Sequence, residues 1–358
     1  MSAHRLYHTW FEKTREMLPG ERVTRVRNVA WMIVGMYLSQ SIHLSSIARR
    51  LPFAAKLTST TDRFRRFLDN KAFRVRLWYR QIAQQLLAEA AFCGPVRLIL
   101  DCSKVGAGHQ LLMVALAYRK RALPIAWTWV RTPRGHSSTH KQLALLRYVQ
   151  SLLPTDGRVV LVGDCEFGAV AIARQVECWG WGYVLRQQGD TRVCVSRTAL
   201  IWCHFATLVT QRKERVWYEH ALVTIKHLYH AKLLAYWETG EKEPWLLMTN
   251  LADARTALKA YRCRMWIEEM FGDWKRHGVD IEKTHLRGCV HLSRLVFLVA
   301  LLYLWLVTRG AQTIKSGARH LVDRLHRRDL SVFRIGLYIM DRYMARDQPF
   351  GLRLIPYF

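Results

Sequence analysis

The pattern of apolar and polar positions divides the chain into a helical stretch, a stretch of strands alternating with helices, and a second helical stretch. Between about residues 23 and 80 the apolar positions recur at helical spacing. Residues 29–38 read as one apolar helix. Residues 43–51 read as a shorter one stopped by Pro52, whose ring and missing N–H end a helix. A third helix runs through Phe64, Phe67 and Leu68, with Thr60 or Thr61 as N-cap and Asp62 in the first turn. From residue 96 the period shortens. A buried strand over 96–100 ends at Asp101, and strands over 111–118 and 123–130 follow, joined at Arg119-Lys120-Arg121. Gly135 to Ser138 break the chain before a helix over 139–152. A strand over 158–163 then ends at Asp164, followed by a helix over 167–178 and a strand over 181–185. This order predicts an α/β fold, a mixed sheet with helices on its faces. Residues 187–250 interrupt the alternation with aromatic and β-branched runs at 193–195, 216–218, 233–237 and 245–248, which predicts a β-rich insertion. Helical spacing resumes near Asp253, and no internal repeat is visible.

Charge adds a partner to this outline. The 358 residues carry 55 Lys and Arg against 27 Asp and Glu, a net charge of +28. That balance calls for a polyanion. Before position 96 there are 16 basic and 6 acidic residues, and Arg63, Arg65 and Arg66 share the third predicted helix. A short helix, a turn and a basic helix resemble a helix-turn-helix reader of DNA. The apolar run 295–308, bounded by Arg294 and Arg309, is too short to span a bilayer and reads as a buried core helix, so no membrane partner is expected. Met1-Ser2-Ala3-His4-Arg5 opens no signal peptide, and the eight cysteines form neither a C-x-x-C pair nor a zinc spacing. Both features predict reduced thiols in a cytoplasm.

The candidate chemistry lies in carboxylates. Asp101 and Asp164 each follow a buried strand, and ligands of open α/β sheets bind at the carboxyl ends of strands. Farther on, Tyr261, Arg264, Glu268 and Lys275 fall within one narrow arc of an ideal helix, opposite Cys263, Trp266, Met270 and Trp274. A carboxylate, two cations and a phenol on a wet face, anchored by an apolar stripe, suit a metal and phosphates together. Asp101, Asp164 and Glu268 give three hard oxygen ligands, the preference of Mg²⁺ or Mn²⁺. Glu166 is a neighbouring acid that competes for the same site, Asp156 reads as an exposed turn residue, and Glu269 as solvated.

These residues together resemble the DDE transposases of bacterial insertion sequence family four. The likeness rests on Asp101, on Asp164 within Gly-Asp-Cys-Glu-Phe-Gly, and on the Tyr-Arg-Glu-Lys spacing of Tyr261, Arg264, Glu268 and Lys275; it spans about residues 25–310. Two positions depart from the family pattern: Cys165-Glu166-Phe167 stand where an Arg and an aromatic often follow the second Asp, and Met265 where an aromatic often follows the signature Arg. The resemblance implies a ribonuclease H-like catalytic domain over 96–290 interrupted by the insertion, preceded by a helical DNA-binding domain over 1–95 and followed by a helical region over 291–358. It also implies two Mg²⁺ ions, with Mn²⁺ as substitute, held by Asp101, Asp164 and Glu268. Tyr261, Arg264 and Lys275 would hold phosphates at the transposon end, and Trp245 would take the place of an insertion Trp that handles a flipped base in hairpin-forming members. The partners implied are double-stranded DNA, as terminal inverted repeats and as target, and a second copy when two ends are paired; the setting implied is a bacterial cytoplasm, at the nucleoid. A metal-dependent nuclease or resolvase of the same fold, or a catalytically idle DNA-binding regulator derived from a transposase, are the competing expectations.

Overall fold

The computed structural model describes residues 3–106, 108–130, 136–196 and 198–358. Gly135, predicted to break the chain, lies outside them. The chain begins with α1 (Ala3–Met17) and α2 (Val23–Ser39), then α3 (Leu44–Arg49), α4 (Leu57–Asp69) and α5 (Val75–Cys93). Helix α1 was not foreseen. Helix α4 starts earlier than the cap reading put it: Lys56 is the N-cap, Thr60 is buried, and the Thr61 hydroxyl donates to the Leu57 carbonyl one turn back. Residues 50–56 separate α3 from α4, longer than the three or four residues of a helix-turn-helix turn.

A ten-stranded sheet follows. Its members are β1 (Val96–Val105), β2 (His109–Tyr118), β3 (Arg121–Val130), β4 (Val159–Gly163), β5 (Gly182–Arg186), β6 (Arg192–Cys194), β7 (Cys203–His204), β8 (Arg215–Val223), β9 (Tyr229–Tyr236) and β10 (Trp245–Thr249). Their order is β3-β2-β1-β4-β5-β10-β9-β8-β6-β7. The first three strands form an antiparallel meander, and Arg119 and Lys120 both adopt the positive φ that a two-residue hairpin turn requires. Strands β1, β4 and β5 are parallel neighbours, as expected for buried runs such as Leu98-Ile99-Leu100, which are fully inaccessible. The predicted β-rich insertion is present. It extends the same sheet, because β10 pairs antiparallel with β5.

Helices α6 (Thr139–Gln150) and α7 (Val170–Cys178) connect the parallel strands; Ser138 caps α6 by accepting from Lys141 N–H. Asp253 caps α8 (Ala254–Tyr261) in the same way through Thr256 N–H. A 3₁₀ turn (Arg262–Arg264) leads into α9 (Met265–Trp274) and a π-turn (Lys275–Val279). The chain ends with α10 (Cys289–Lys315) and α11 (Val332–Ala345). Helix α10 extends the apolar run 295–308 in both directions. By length and composition alone it is long enough to cross a bilayer, which corrects the expectation from the shorter run, yet 83% of its most apolar window is buried inside the fold. Helix α11 crosses it where Gly310 faces Gly336. A Cβ on Gly310 would overlap the Val332 carbonyl, and one on Gly336 the Leu306 carbonyl, so only glycine permits this approach.

One apolar core runs from Leu6 to Leu354 through the N-terminal helices, the sheet and α10. Polar ties reinforce it. Tyr37 of α2 donates to Asp341 of α11 at 2.7 Å, Tyr79 of α5 to the Pro124 carbonyl at 2.7 Å, and buried Arg294 of α10 to the carbonyls of Leu68 and Phe73. Within this frame the three arginines of α4 separate. Arg63 is half-buried, donates to Asn28 at 2.7 Å and lies over the Phe53 ring, whereas Arg65 and Arg66 are exposed and Arg65 pairs with Asp62 at 2.6 Å. Arg63→Ala is expected to lower unfolding free energy by about 1–3 kcal/mol, through lost packing and an unpartnered Asn28. Arg65→Ala with Arg66→Ala is expected to leave stability unchanged and to reduce the salt dependence of DNA binding. Urea unfolding and fluorescence anisotropy read the two effects, and a reversed pattern would exchange the roles of these arginines.

Candidate active site

Parallel pairing brings the two aspartates together. Leu100 of β1 is in register with Gly163 of β4, so Asp101 and Asp164 follow side by side where β4 ends. Strand β1 does not stop at Asp101 as the apolar run suggested; pairing with β2 carries it on to Val105, so only Asp164 stands at a strand end. Each accepts the N–H of the next residue at 2.8 Å: Cys102 donates to Asp101 and Cys165 to Asp164. Helix α9 packs across β1, β2 and β3 and carries Glu268 to the same place. Asp101, Asp164, Arg264, Glu268 and Lys275 line one open cleft of about 680 Å³.

The charges in the cleft are unevenly balanced. Burial pushes the Asp101 carboxyl up to about 7, against the lowering effects of the Cys102 N–H and Arg264; Glu268 and Asp164 raise it further. Arg264 lies between the other two acids, 3.4 Å from Asp164 and 2.7 Å from Glu268. Arg186, at the end of β5, stands 3.9 Å from Asp164 and 3.5 Å from Glu243. Lys275 pairs with Glu282 at 2.7 Å.

The single wet face drawn for Tyr261, Arg264, Glu268 and Lys275 needs correction. The helix is broken by the 3₁₀ turn, and both Tyr261 and Arg264 are buried while Glu268 is exposed. Tyr261 packs edge-on against Trp245, with ring centroids 5.2 Å apart, and among the described residues its buried hydroxyl has no hydrogen-bond partner. Burial raises its pKa, and the charge of Asp164 raises it further. Trp245 is itself buried, between Tyr261 and Tyr236 on β9. The apolar stripe holds for Cys263, Met270 and Trp274, while Trp266 is half-buried.

Glu166 turns away from the two aspartates. It accepts from the Ser137 N–H at 2.7 Å and the Ser137 hydroxyl at 2.5 Å, holding the start of α6 against the β4 end. Asp156 is exposed, as read. Glu269 pairs with Arg121 at 3.0 Å, and Arg121 also reaches buried Asp273 at 2.6 Å. Sequence reasoning missed this second pair and Arg186. The strand-end rule that found Asp101 and Asp164 points equally to the end of β5, but no local signal joins Arg121 to a residue 152 positions away.

Arg121 and Asp273 clamp α9 to the β2–β3 hairpin. Burial lifts the Asp273 carboxyl from 3.8 to about 6 despite the guanidinium beside it. A folded-state value above the unfolded one means that Asp273 lends stability below about pH 4 and loses it as pH rises through 6. Arg121→Ala removes the only counter-charge that contacts this carboxylate among the described residues. The variant is expected to lose about 3–5 kcal/mol at pH 8 and less at pH 5, where Asp273 can take a proton. Equal losses at both values, by urea unfolding, would assign Arg121 a packing role only.

Chemically, the three acids suit a hard divalent cation: the donors are all carboxylate oxygens, and Asp101 is half-buried next to two further negative charges. As they stand, among the described residues no three His, Cys, Asp or Glu side chains are close enough together to hold an ion. Arg264 occupies the gap between Asp164 and Glu268, so its guanidinium would have to give way before the acids could close on an ion.

Of the comparisons with known proteins, the family profile is the one that bears on this site. Residues 100–305 match the profile of a family described as the transposase DDE domain. A search of curated proteins finds no match. Among solved structures, the cryo-EM structure of the piggyBac transposase synaptic complex with hairpin DNA is similar at 10% identity, with a TM-score of 0.43, over 96% of this chain and 79% of that one, a likeness too distant to assign anything here. The family profile covers more than half of the chain and includes Asp101, Asp164 and Glu268; the chain belongs to the transposase DDE domain family.

Proposed function

We propose that this protein is a DNA transposase that binds the terminal inverted repeats of its element, cleaves the element ends and joins them to target DNA, two copies acting on paired ends. The observation that carries the reading is the convergence of Asp101, Asp164 and Glu268 on one cleft, from the middle of β1, the end of its parallel neighbour β4 and one helix. The order β3-β2-β1-β4-β5, antiparallel and then parallel, supports a ribonuclease H-like catalytic core.

Asp101, Asp164 and Glu268 would hold two Mg²⁺ or Mn²⁺ ions, which supply activation of a water or 3′-hydroxyl and stabilise the leaving oxygen. The protein's own part is to deliver the phosphate. Arg264 offers a planar pair of N–H donors that match two phosphate oxygens, and a phosphate entering the cleft competes with Asp164 and Glu268 for it. Capture of the guanidinium by the phosphate frees both acids. The unpartnered Tyr261 hydroxyl beneath and Lys275 at the rim are further donors. Incubating purified protein with Mg²⁺, labelled repeat-ended DNA and a plasmid target tests the reading. Nicked ends and joined products are expected. Cleavage without joining would leave a nuclease or resolvase, and binding without cleavage an idle regulator.

For the second strand, the reading includes attack of the freed 3′-hydroxyl on the opposite strand to form a hairpin. A flipped base needs an aromatic platform worth roughly 1–3 kcal/mol. Trp245 would have to leave its slot between Tyr236 and Tyr261 to serve. Fold-back DNA is expected to accumulate transiently on denaturing gels, and Trp245→Ala to reduce it more than it reduces first-strand nicking. Double-strand breaks with no fold-back species at any time would end the hairpin route and leave Trp245 a core residue.

A further inference from the structure

A second cleft, of about 720 Å³, lies between α8 and the strands β8 and β9. It is lined by Lys213, Arg215, Arg255, Lys259 and Arg262, all exposed. Arg255, Lys259 and Arg262 recur at the spacing that aligns side chains along one helical face, and Lys213 and Arg215 meet them from the start of β8. The acids nearby are committed elsewhere or paired once. Glu238 pairs with Arg262 at 2.9 Å, Glu214 accepts from the N–H groups of Thr210 and Gln211, and Asp253 caps α8 through Thr256. Among the described residues, Lys213, Arg215, Arg255 and Lys259 make no ion pair.

Five cations facing one carboxylate across a concave surface repel one another and gain by taking up an extended anion. The geometry points to a second phosphate-binding surface, which holds the backbone of duplex DNA apart from the carboxylate cleft. Its position supports a duplex as the ligand. Arg262 and Arg264 share one 3₁₀ turn, with Arg264 directed to Asp164 and Glu268 and Arg262 to this cleft, so the two clefts border a single turn. A duplex with one phosphate at the carboxylates has further phosphates within reach of both. The inference rests on the transposase reading and adds to it the surface that carries the rest of the duplex.

The test is the salt dependence of DNA binding by the full chain. The variant combines Lys213→Ala, Arg255→Ala and Lys259→Ala. The control removes the same charge through Arg80→Ala, Arg147→Ala and Arg158→Ala, exposed residues that line neither cleft. Each lost phosphate contact lowers the slope of log K against log salt by about 0.9, so the variant is expected to lose about 2.7 and the control much less. Loss on an inverted-repeat duplex alone assigns the cleft to the element end. Loss on that duplex and on an unrelated one of equal length assigns it to duplex DNA in general. Wild-type binding with a variant slope no different from the control overturns this inference and leaves the proposed function standing. A wild-type protein that binds neither duplex overturns both.

Discussion

Replacing Asp101 or Asp164 by Asn, or Glu268 by Gln, is expected to cut cleavage of labelled end DNA by about a thousandfold or more, about 4 kcal/mol of lost transition-state stabilisation, with end binding unchanged. The substitutions keep shape and remove one negative charge. A second reading separates loss of the ion from loss of the fold. Mg²⁺ at about a hundred times its dissociation constant stabilises a protein that binds it by roughly 2.7 kcal/mol, so the wild-type melting temperature should rise with Mg²⁺ and the variants' should not. Strand transfer retained by any one variant would remove that residue from the set.

Arg264→Lys is expected to slow cleavage about a hundredfold. An ammonium cannot form the two parallel hydrogen bonds of the guanidinium to a phosphate. Arg264→Ala tests the other half of the arrangement. With the cation gone from between Asp164 and Glu268, Mg²⁺ should raise the melting temperature at lower concentration than in the wild type, although cleavage is lost. If Arg264→Lys cleaves normally and Arg264→Ala needs as much Mg²⁺ as before, the residue is a structural partner of the two acids and handles no phosphate.

The aspartates were legible because their signal is local. Each follows a run of buried β-branched and leucine residues, and the long-range register of Leu100 with Gly163 then sets Asp101 beside Asp164. Glu268 was legible through its spacing from Tyr261, Arg264 and Lys275, but the helical wheel behind that spacing assumed one continuous helix. No Gly or Pro between positions 261 and 268 signals the 3₁₀ turn, so the burial of Tyr261 and Arg264 was hidden. Helix α1 escaped because it begins at the chain terminus and mixes His, Arg and Glu with the residues it buries, Leu6, Tyr7 and Trp10. The clamp between Arg121 and Asp273 is a product of tertiary packing alone. The two sides of the insertion were recognisable as strands, but the edge to which they attach was not.

That attachment bears on how the chain tolerates change. Residues 187–244 run out to the far strands β6 to β9 of the sheet, and β10 returns to pair with β5 itself, through Leu247 with Arg186 and Thr249 with Val184. The long detour between Asp164 and Glu268 is therefore closed at its base by backbone hydrogen bonds. The distance from one acid to the other depends on that closure and not on how many residues the detour contains. The outer hairpin tips, among them the turn at 224–228, are free to lengthen, shorten or change sequence without moving Asp164 and Glu268. A chain built in this way can vary its outer strands while the carboxylates at the base of the loop stay in register.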